Sequence, residues 1–475
     1  MKKEVRVRFA PSPTGLMHLG NIRTALMNYL FAKQKKGKFV VRIEDTDQRR
    51  NLDEASYAIL DDLEWLNLKY DEGPGINSKY SPYFQSKRTE IYKKYLDDLI
   101  YNEKVYRCFC TPQKLEEKRQ RQLSEGKPPK YDRECLNLSD DQIKAKITQD
   151  ISFVWRLKLN EDQIFEIQDM ARGKIAFEMK HFSDFALTRN DGSFTFMFSN
   201  FIDDWLMQIT HVIRGEDHLS NTAMQAALFN AFAVNLPVFW HLPMICNQQG
   251  KKLSKRDFGF SLDDLRNEGF LPQAICNYLA IIGSSFTQEI QSLEELILNL
   301  DFENINSTGS IRFDFEKLNW INHKWIEKIP IGELLGYVKL FLYKQIPDSE
   351  NLIDEKLEYI LKILKTDLKT LKDIGKVLKF YFISPKTTKA DIEKEIGQDE
   401  AGIIIDLIQK NINLIEKPNY FLEKLKKEGK QLGLKNKEIF GPIRYLLTGK
   451  FQGPSIHSIM EILENKDIEK RLNLM

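Results

Sequence analysis

Between residues 9 and 26 the chain reads "FAPSPTGLMHLGNIRTAL". Ser12, Gly15, His18 and Gly20 fall there, where a strand pattern gives way to a helix pattern. A helix N-terminus offers unpaired N–H groups and the positive end of its dipole to an anion. His18 adds a hydrogen bond or a positive charge, and Gly20 lets a ligand approach the backbone. These are the parts of a phosphate site, but not of a P-loop. Gly15 and Gly20 have the G-x-x-x-x-G spacing, yet Asn21 and Ile22 stand where Lys and Ser/Thr are required. The dinucleotide fingerprint G-x-G-x-x-G is absent too. Further along, "KKLSKRDF" places Lys252, Ser254, Lys255 and Arg256 on a polar stretch between apolar segments, which reads as a mobile loop. Cys108 and Cys110 form C-x-C, and Cys135 follows. Three thiolates need a fourth ligand to make tetrahedral zinc; the alternative is three small packing side chains. Cys246 and Cys276 are isolated and read as packing residues.

The elements around these residues suggest how they are held. "EVRVRFA" alternates Val5, Val7 and Phe9 with Arg6 and Arg8, the period of a strand. Leu19, Ile22, Leu26, Tyr29 and Leu30 share a helical face. "KFVVRIEDTD" is a second apolar strand ending in acids. Such a β-α-β unit builds a parallel sheet and collects ligands at the carboxyl ends of its strands, where Ser12, His18, Glu44 and Asp45 fall. Residues 100–190 read as an insertion, with a polar helix ("KLEEKRQRQLSEGKPPKYD") followed by strands ("ISFVWRLKL"), and a β-α pattern resumes over 194–214. From about 325 the chain is rich in Leu, Ile and Lys at helical spacing. The expected architecture is an α/β sheet interrupted by an inserted domain, followed by a separate helical C-terminal region. The 475 residues carry Lys+Arg 70 against Asp+Glu 68, a net charge of +2, which excludes a polycationic tail protein but not local basic patches. No run approaches the roughly 18 apolar residues of a membrane span, and the start lacks the apolar core of a signal peptide. An odd number of cysteines, 5, suits a reducing cytosol.

"PSPTGLMHLGN" and "KLSKR" together resemble the paired H-x-G-H and K-M-S-K-S signatures of class I aminoacyl-tRNA synthetases. With "VRIEDTD", "VIRGEDH" and "GPIRYLLTGKFQGPSI" at 441–456, the chain is similar to the bacterial glutamyl-tRNA synthetase family along its whole length. The resemblance implies an α/β Rossmann-like catalytic domain with an inserted α+β domain, followed by an all-α C-terminal region. The catalytic domain would activate glutamate with ATP and pass it to the terminal adenosine of tRNA(Glu), with tRNA(Gln) an open second substrate. It implies catalytic halves at 1–95 and 194–245, an inserted acceptor-binding domain at 96–193, a stem-contact domain at 246–324 and a helical anticodon-binding region at 325–475. The expected enzyme is a cytoplasmic monomer, with ATP and Mg²⁺ and no membrane. Glutaminyl-tRNA synthetases, the near alternative, more often read P-E-P-N-G where this chain has "PSPTG", and end in β-barrels. Intact His18, Gly20 and Lys255 argue against a non-catalytic tRNA-binding homologue.

The resemblance also implies roles. Gly15, His18, Gly20, Lys252, Ser254, Lys255 and Arg256 would bind ATP, with His18 and Lys255 catalytic. Arg8 and Arg214 would face the side-chain carboxylate of glutamate, Glu44 and Ser12 its amino group, and Asn200 a further contact. Asn21 departs from the second histidine of the class pattern, and Phe196 stands where a tyrosine is expected. Some family members place a zinc-binding histidine where this chain has Asn137; Tyr131 is then the fourth ligand, as in related glutamyl-Q enzymes with C-x-C…Y-x-x-x-C.

Overall fold

The computed structural model describes residues 4–46, 53–253, 261–283, 288–302 and 309–473. The chain forms two units, one of Met1–Asp264 with Cys276–Asp314 and one of Leu265–Ile275 with Phe315–Met475.

The first unit opens with strand β1 (Arg6–Phe9), helix α1 (Leu19–Gln34) and strand β2 (Lys38–Val41). β1 and β2 are parallel, Arg6 opposite Lys38 and Phe9 opposite Val41. The alternating residues form a strand, as the period predicts, and all four β1 residues are buried, the arginines included. The polar face is covered by acids: Arg6 pairs with Glu72 at 2.7 Å and Arg8 with Asp204 at 3.0 Å. α1 is buried almost all round, Ala25, Met27 and Phe31 as well as the expected Leu19, Ile22, Leu26 and Leu30. Its Arg23 is held by the carbonyls of Leu279, Pro243 and Ile282 at 3.2–3.3 Å.

In the inserted segment β3 (Val105–Cys108) pairs antiparallel with β4 (Val154–Leu157). The expected polar helix is Pro112–Ser124, capped by Thr111 and without a buried residue. Strands β5 (Ile164–Asp169) and β6 (Gly173–Glu178) form a hairpin. They do not stay within the insertion: β5 joins β8 (Val238–Leu242), giving the order β6-β5-β8-β7, with β7 spanning His211–Gly215. β7 and β8 are parallel and joined through the Leu219–Ala231 helix. Thr210, just before β7, accepts from the Arg6 N–H through Oγ1 at 2.8 Å and donates its own N–H to the Arg6 carbonyl at 2.9 Å. Short strands β9 (Ile245–Cys246) and β10 (Ile311–Arg312) pair in parallel.

The described residues of the second unit are helical and contain no strand, from Phe315–Lys328 to Asn465–Leu472. The boundary expected at 325 falls inside the first of these helices. Leu265–Ile275 belongs with them: Asn322 Oδ1 accepts from the Leu271 N–H at 2.8 Å, and the Gly269 carbonyl accepts from the Leu371 N–H at 2.9 Å. Gly269 has φ +82°, and a Cβ there would meet the Lys372 backbone nitrogen at 2.6 Å, so glycine is needed on both counts.

Candidate active site

At the mouth of α1, His18 is the N-cap, and Nδ1 of its imidazole accepts the N–H groups of Gly20 and Asn21 at 3.1 and 3.3 Å. Asn21 Oδ1 accepts the His18 N–H at 3.4 Å, which closes a capping box. The residue that departs from the class pattern thus has its own job at the helix entry. Two N–H groups that the sequence offered to an anion are taken by His18. The space that Gly20 was expected to leave for a ligand lies against the same ring, since a Cβ would sit 3.0 Å from His18 Cε1. With Nδ1 an acceptor, the neutral ring carries its proton on Nε2, assigned from this network. Burial, then Lys252, pull His18 below its usual pKa, so it stays neutral at pH 7. The end of the helix therefore presents an imidazole donor. Lys252 reaches the same neighbourhood and pairs with Asp217 at 3.1 Å. Gly15, at φ +138°, holds a turn in the left-handed region. Ser12 is exposed, and the neighbouring Pro11 carbonyl accepts the Glu44 N–H at 2.9 Å, so the two expected ammonium contacts start side by side. Ser254, Lys255 and Arg256 lie outside the described residues.

Beneath this mouth is a buried cluster of charge. Glu44 Oε1 accepts from Arg42 at 3.0 Å and from Asn200 at 2.6 Å. Asn200 Oδ1 in turn accepts from Gln225 at 2.7 Å, so Asn200 meets Glu44 inside the protein. Arg42 also donates to Asp204 at 2.8 Å, and Arg88 to Asp203 at 2.7 Å. Arg8 uses Nε and Nη2 on Asp204, which leaves its Nη1 outside that pair. Burial raises the Glu44 carboxyl above its usual value against the pull of Arg42 and Arg8. A cation arriving at Glu44 would offset that burial.

Arg214 has no such carboxylate. It donates through Nη2 to Thr222 at 2.6 Å and approaches His241 through Nε at 3.5 Å. Its Nη1 is buried with no hydrogen-bond partner. Burial, then repulsion from Arg8, pull its pKa down to about 9. A guanidinium buried without a counter-ion is costly, and a carboxylate ligand would remove the cost. Beside it stands His218, pulled down to about 4 by burial and then by Arg214. The Phe196 ring lies 5.9 Å from the His218 ring. The structure thus gathers Arg8, Glu44, Asn200 and Arg214, while Arg42, Asp204, Thr222 and His241 escaped the sequence reading. His241 had only the signal of a lone histidine between apolar neighbours.

Apart from these groups, Cys108, Cys110 and Cys135 put their sulfurs within 4.8 Å of one another. Cys110 and Cys135 are 3.6 Å apart, and the Tyr131 hydroxyl lies 3.3 Å from Cys108 and 3.8 Å from Cys110. Zn–S bonds of about 2.3 Å at tetrahedral angles need sulfurs about 3.8 Å apart, so the donor set fits zinc. The Cys135 hydrogen bond, then Tyr131 and Arg156, hold the Cys108 thiol below its usual pKa. The Arg156 guanidinium lies 4.3 Å from the centre of the Tyr131 ring. Among the described residues, no helix is long and apolar enough to cross a membrane.

Residues 4–320 match the catalytic domain of the class I tRNA synthetases (E and Q), and residues 333–475 match an anticodon-binding domain. The chain is 37% identical to a glutamate–tRNA ligase of Finegoldia magna and 34% identical to one of Bacillus pumilus, each comparison covering 99% of both chains. A crystal structure of a glutamate tRNA ligase from Elizabethkingia meningosepticum in complex with its amino acid matches with a TM-score of 0.86 at 32% identity, again over 99% of both chains.

Proposed function

The chain belongs to the class I tRNA synthetases (E and Q), and from that premise we propose how its residues work as a glutamate–tRNA ligase. An α-carboxylate oxygen of glutamate attacks the α-phosphorus of ATP, the bond to the β-phosphate breaks, and pyrophosphate leaves. The terminal adenosine of tRNA(Glu) then takes the glutamyl group and AMP leaves. Both steps build charge on oxygens, so positioned donors and cations carry the catalysis. His18 donates from Nε2 to the triphosphate. Lys252, Lys255 and Arg256 supply cations and Ser254 a hydroxyl, with Lys255 on the developing charge. Mg²⁺ arrives bound to the phosphate oxygens of ATP. Arg214 and the remaining edge of Arg8 take the side-chain carboxylate, and Glu44 with Ser12 takes the ammonium. Asn200 acts by holding Glu44. Cys108, Cys110, Cys135 and Tyr131 hold a structural zinc that supports the inserted segment and stays out of the chemistry. We read the enzyme as a cytosolic monomer; its five unpaired cysteines support the compartment, and gel filtration tests the oligomeric state.

One observation carries the substrate assignment: the buried Nη1 of Arg214 without a partner. ATP–pyrophosphate exchange with tRNA(Glu) present tests it. Arg214→Ala should raise the KM for glutamate about a hundredfold and leave that for ATP in place. An unchanged glutamate KM would reject the assignment. Charging purified tRNA(Glu) and tRNA(Gln) decides the range of tRNA substrates.

A further inference from the structure

Next to Arg214 runs a row of buried polar groups, Thr222, His241 and Asp169. Four donors converge on the Asp169 carboxylate. Oδ1 accepts the N–H groups of Ala171 and Arg172, both at 2.9 Å. Oδ2 accepts the N–H of His241 at 3.1 Å and its Nδ1–H at 2.7 Å. Only a carboxylate can accept on both sides, since an amide would turn one side into a donor. Asp169 and His241 are fully buried. The carboxylate fixes the imidazole, with the proton on Nδ1 and an acceptor at Nε2. Thr222 Oγ1 lies 2.9 Å from that Nε2 and 2.6 Å from Arg214 Nη2. A guanidinium only donates, so Thr222 accepts from Arg214 and its own proton goes to His241. The His218 carbonyl, at 3.4 Å, is the weaker alternative for that proton.

We propose that Asp169, His241 and Thr222 are positioning residues for glutamate recognition. Each fixes the direction of the next hydrogen bond, and the last one pins the Nη2 edge of Arg214, leaving Nη1 for the ligand. The inference rests on reading Arg214 as the carboxylate-binding residue. It also gives the inserted segment a part in the amino-acid pocket, because Asp169 ends β5 of the β5–β6 hairpin.

The test compares Thr222→Val, which removes the hydroxyl at constant shape, with Thr222→Ser, which keeps it. Asp169→Asn is the second probe, setting an amide among four donors. The assay is ATP–pyrophosphate exchange with tRNA(Glu), with thermal melting to confirm that each variant is folded. Thr222→Val and Asp169→Asn should raise the glutamate KM roughly tenfold or more at an unchanged ATP KM, and Thr222→Ser should stay within about threefold of the parent. In an Arg214→Ala background Thr222→Val should add almost nothing. The proposal is overturned if Thr222→Val keeps the parental glutamate KM, if Val and Ser behave alike, or if the KM values for ATP and glutamate rise together. Arg214→Ala, run in parallel, separates the two readings. If it leaves the glutamate KM unchanged, the substrate assignment falls and this proposal with it. If it raises that KM while Thr222→Val does not, only the positioning row falls.

Discussion

At the scale of single residues, the site is defined by what its charges lack. Arg8, Arg42 and Arg88 each pair with a buried carboxylate, and Arg214 does not. Binding and stability should therefore separate at this position. Arg214→Met keeps the length and removes the buried charge, so the unliganded protein should melt higher while its glutamate KM rises. Saturating glutamate should raise the melting temperature of the parent and not of the variant. A variant that melts lower than the parent would show that Arg214 holds the fold. The histidines give a second expectation. His218 sits near 4 in the fold against an ordinary 6.5, because burial and then Arg214 disfavour its charge. Between those values the unfolded chain binds more protons than the folded one, so stability is full above the ordinary value and falls as pH drops through the window. His18 and His241 shift the same way, each through burial first. Melting temperature should drop between about pH 7 and pH 5, and His218→Gln should recover roughly 1–2 kcal/mol of the loss. Equal slopes for parent and variant would exclude His218 as a source.

At the scale of elements, helix α1 shows how local geometry and chemistry share atoms. The imidazole that caps the helix is also the proposed phosphate donor, and Gly20 makes room for it. Gly20→Ala would push a Cβ against the ring, so it should weaken the cap by about 1 kcal/mol and lower the activation rate together. A rate loss without a stability loss would separate the two roles. This part of the fold was legible in the sequence because its signals are local: the period of β1, the spacing of α1, the proline and glycine turn between them. The long-range partners were not legible. Nothing near Arg6 and Arg8 in sequence announces Glu72 or Asp204, their partners in the fold. Glu44, Asn200 and Arg214 were found inside motifs, whereas Asp169 and His241 carry no motif, and their meaning comes only from β5 pairing with β8. The cysteine group lies between these cases. Its spacing was visible, but the convergence of Tyr131 on two sulfurs depends on the turn before Glu134–Asn137, where Arg133 has φ 58°. Protein purified without chelator should contain close to one zinc per chain, and removing it should lower the melting temperature of the insertion while leaving ATP binding intact. Normal charging with less than about a tenth of an equivalent of metal would leave three ordinary thiols.

At the scale of the whole molecule, near-zero net charge conceals a division of labour. The proposed catalytic groups all belong to the first unit, while the second consists of helices whose exposed positions include many lysines, such as Lys426, Lys427 and Lys430. Lysine contacts to phosphate make tRNA affinity fall as salt rises. Cutting after Asp314 should therefore abolish productive charging and flatten the salt dependence of tRNA binding. The cut is not clean, however. Phe270 and Leu271 are almost fully buried and belong to the second unit, Leu271 through Asn322 and Phe270 against the Phe315 ring at 5.7 Å. Truncation removes both partners and leaves two large apolar side chains uncovered, the kind of exposed patch that drives association. The truncated protein should scatter light at concentrations where the full chain does not. Phe270→Ser with Leu271→Ser should restore its solubility without restoring charging. If the truncated protein charges tRNA(Glu) as efficiently as the full chain, the helical unit does not take part in reading the tRNA. If it stays monodisperse without the serines, the 265–275 segment is not held by that unit.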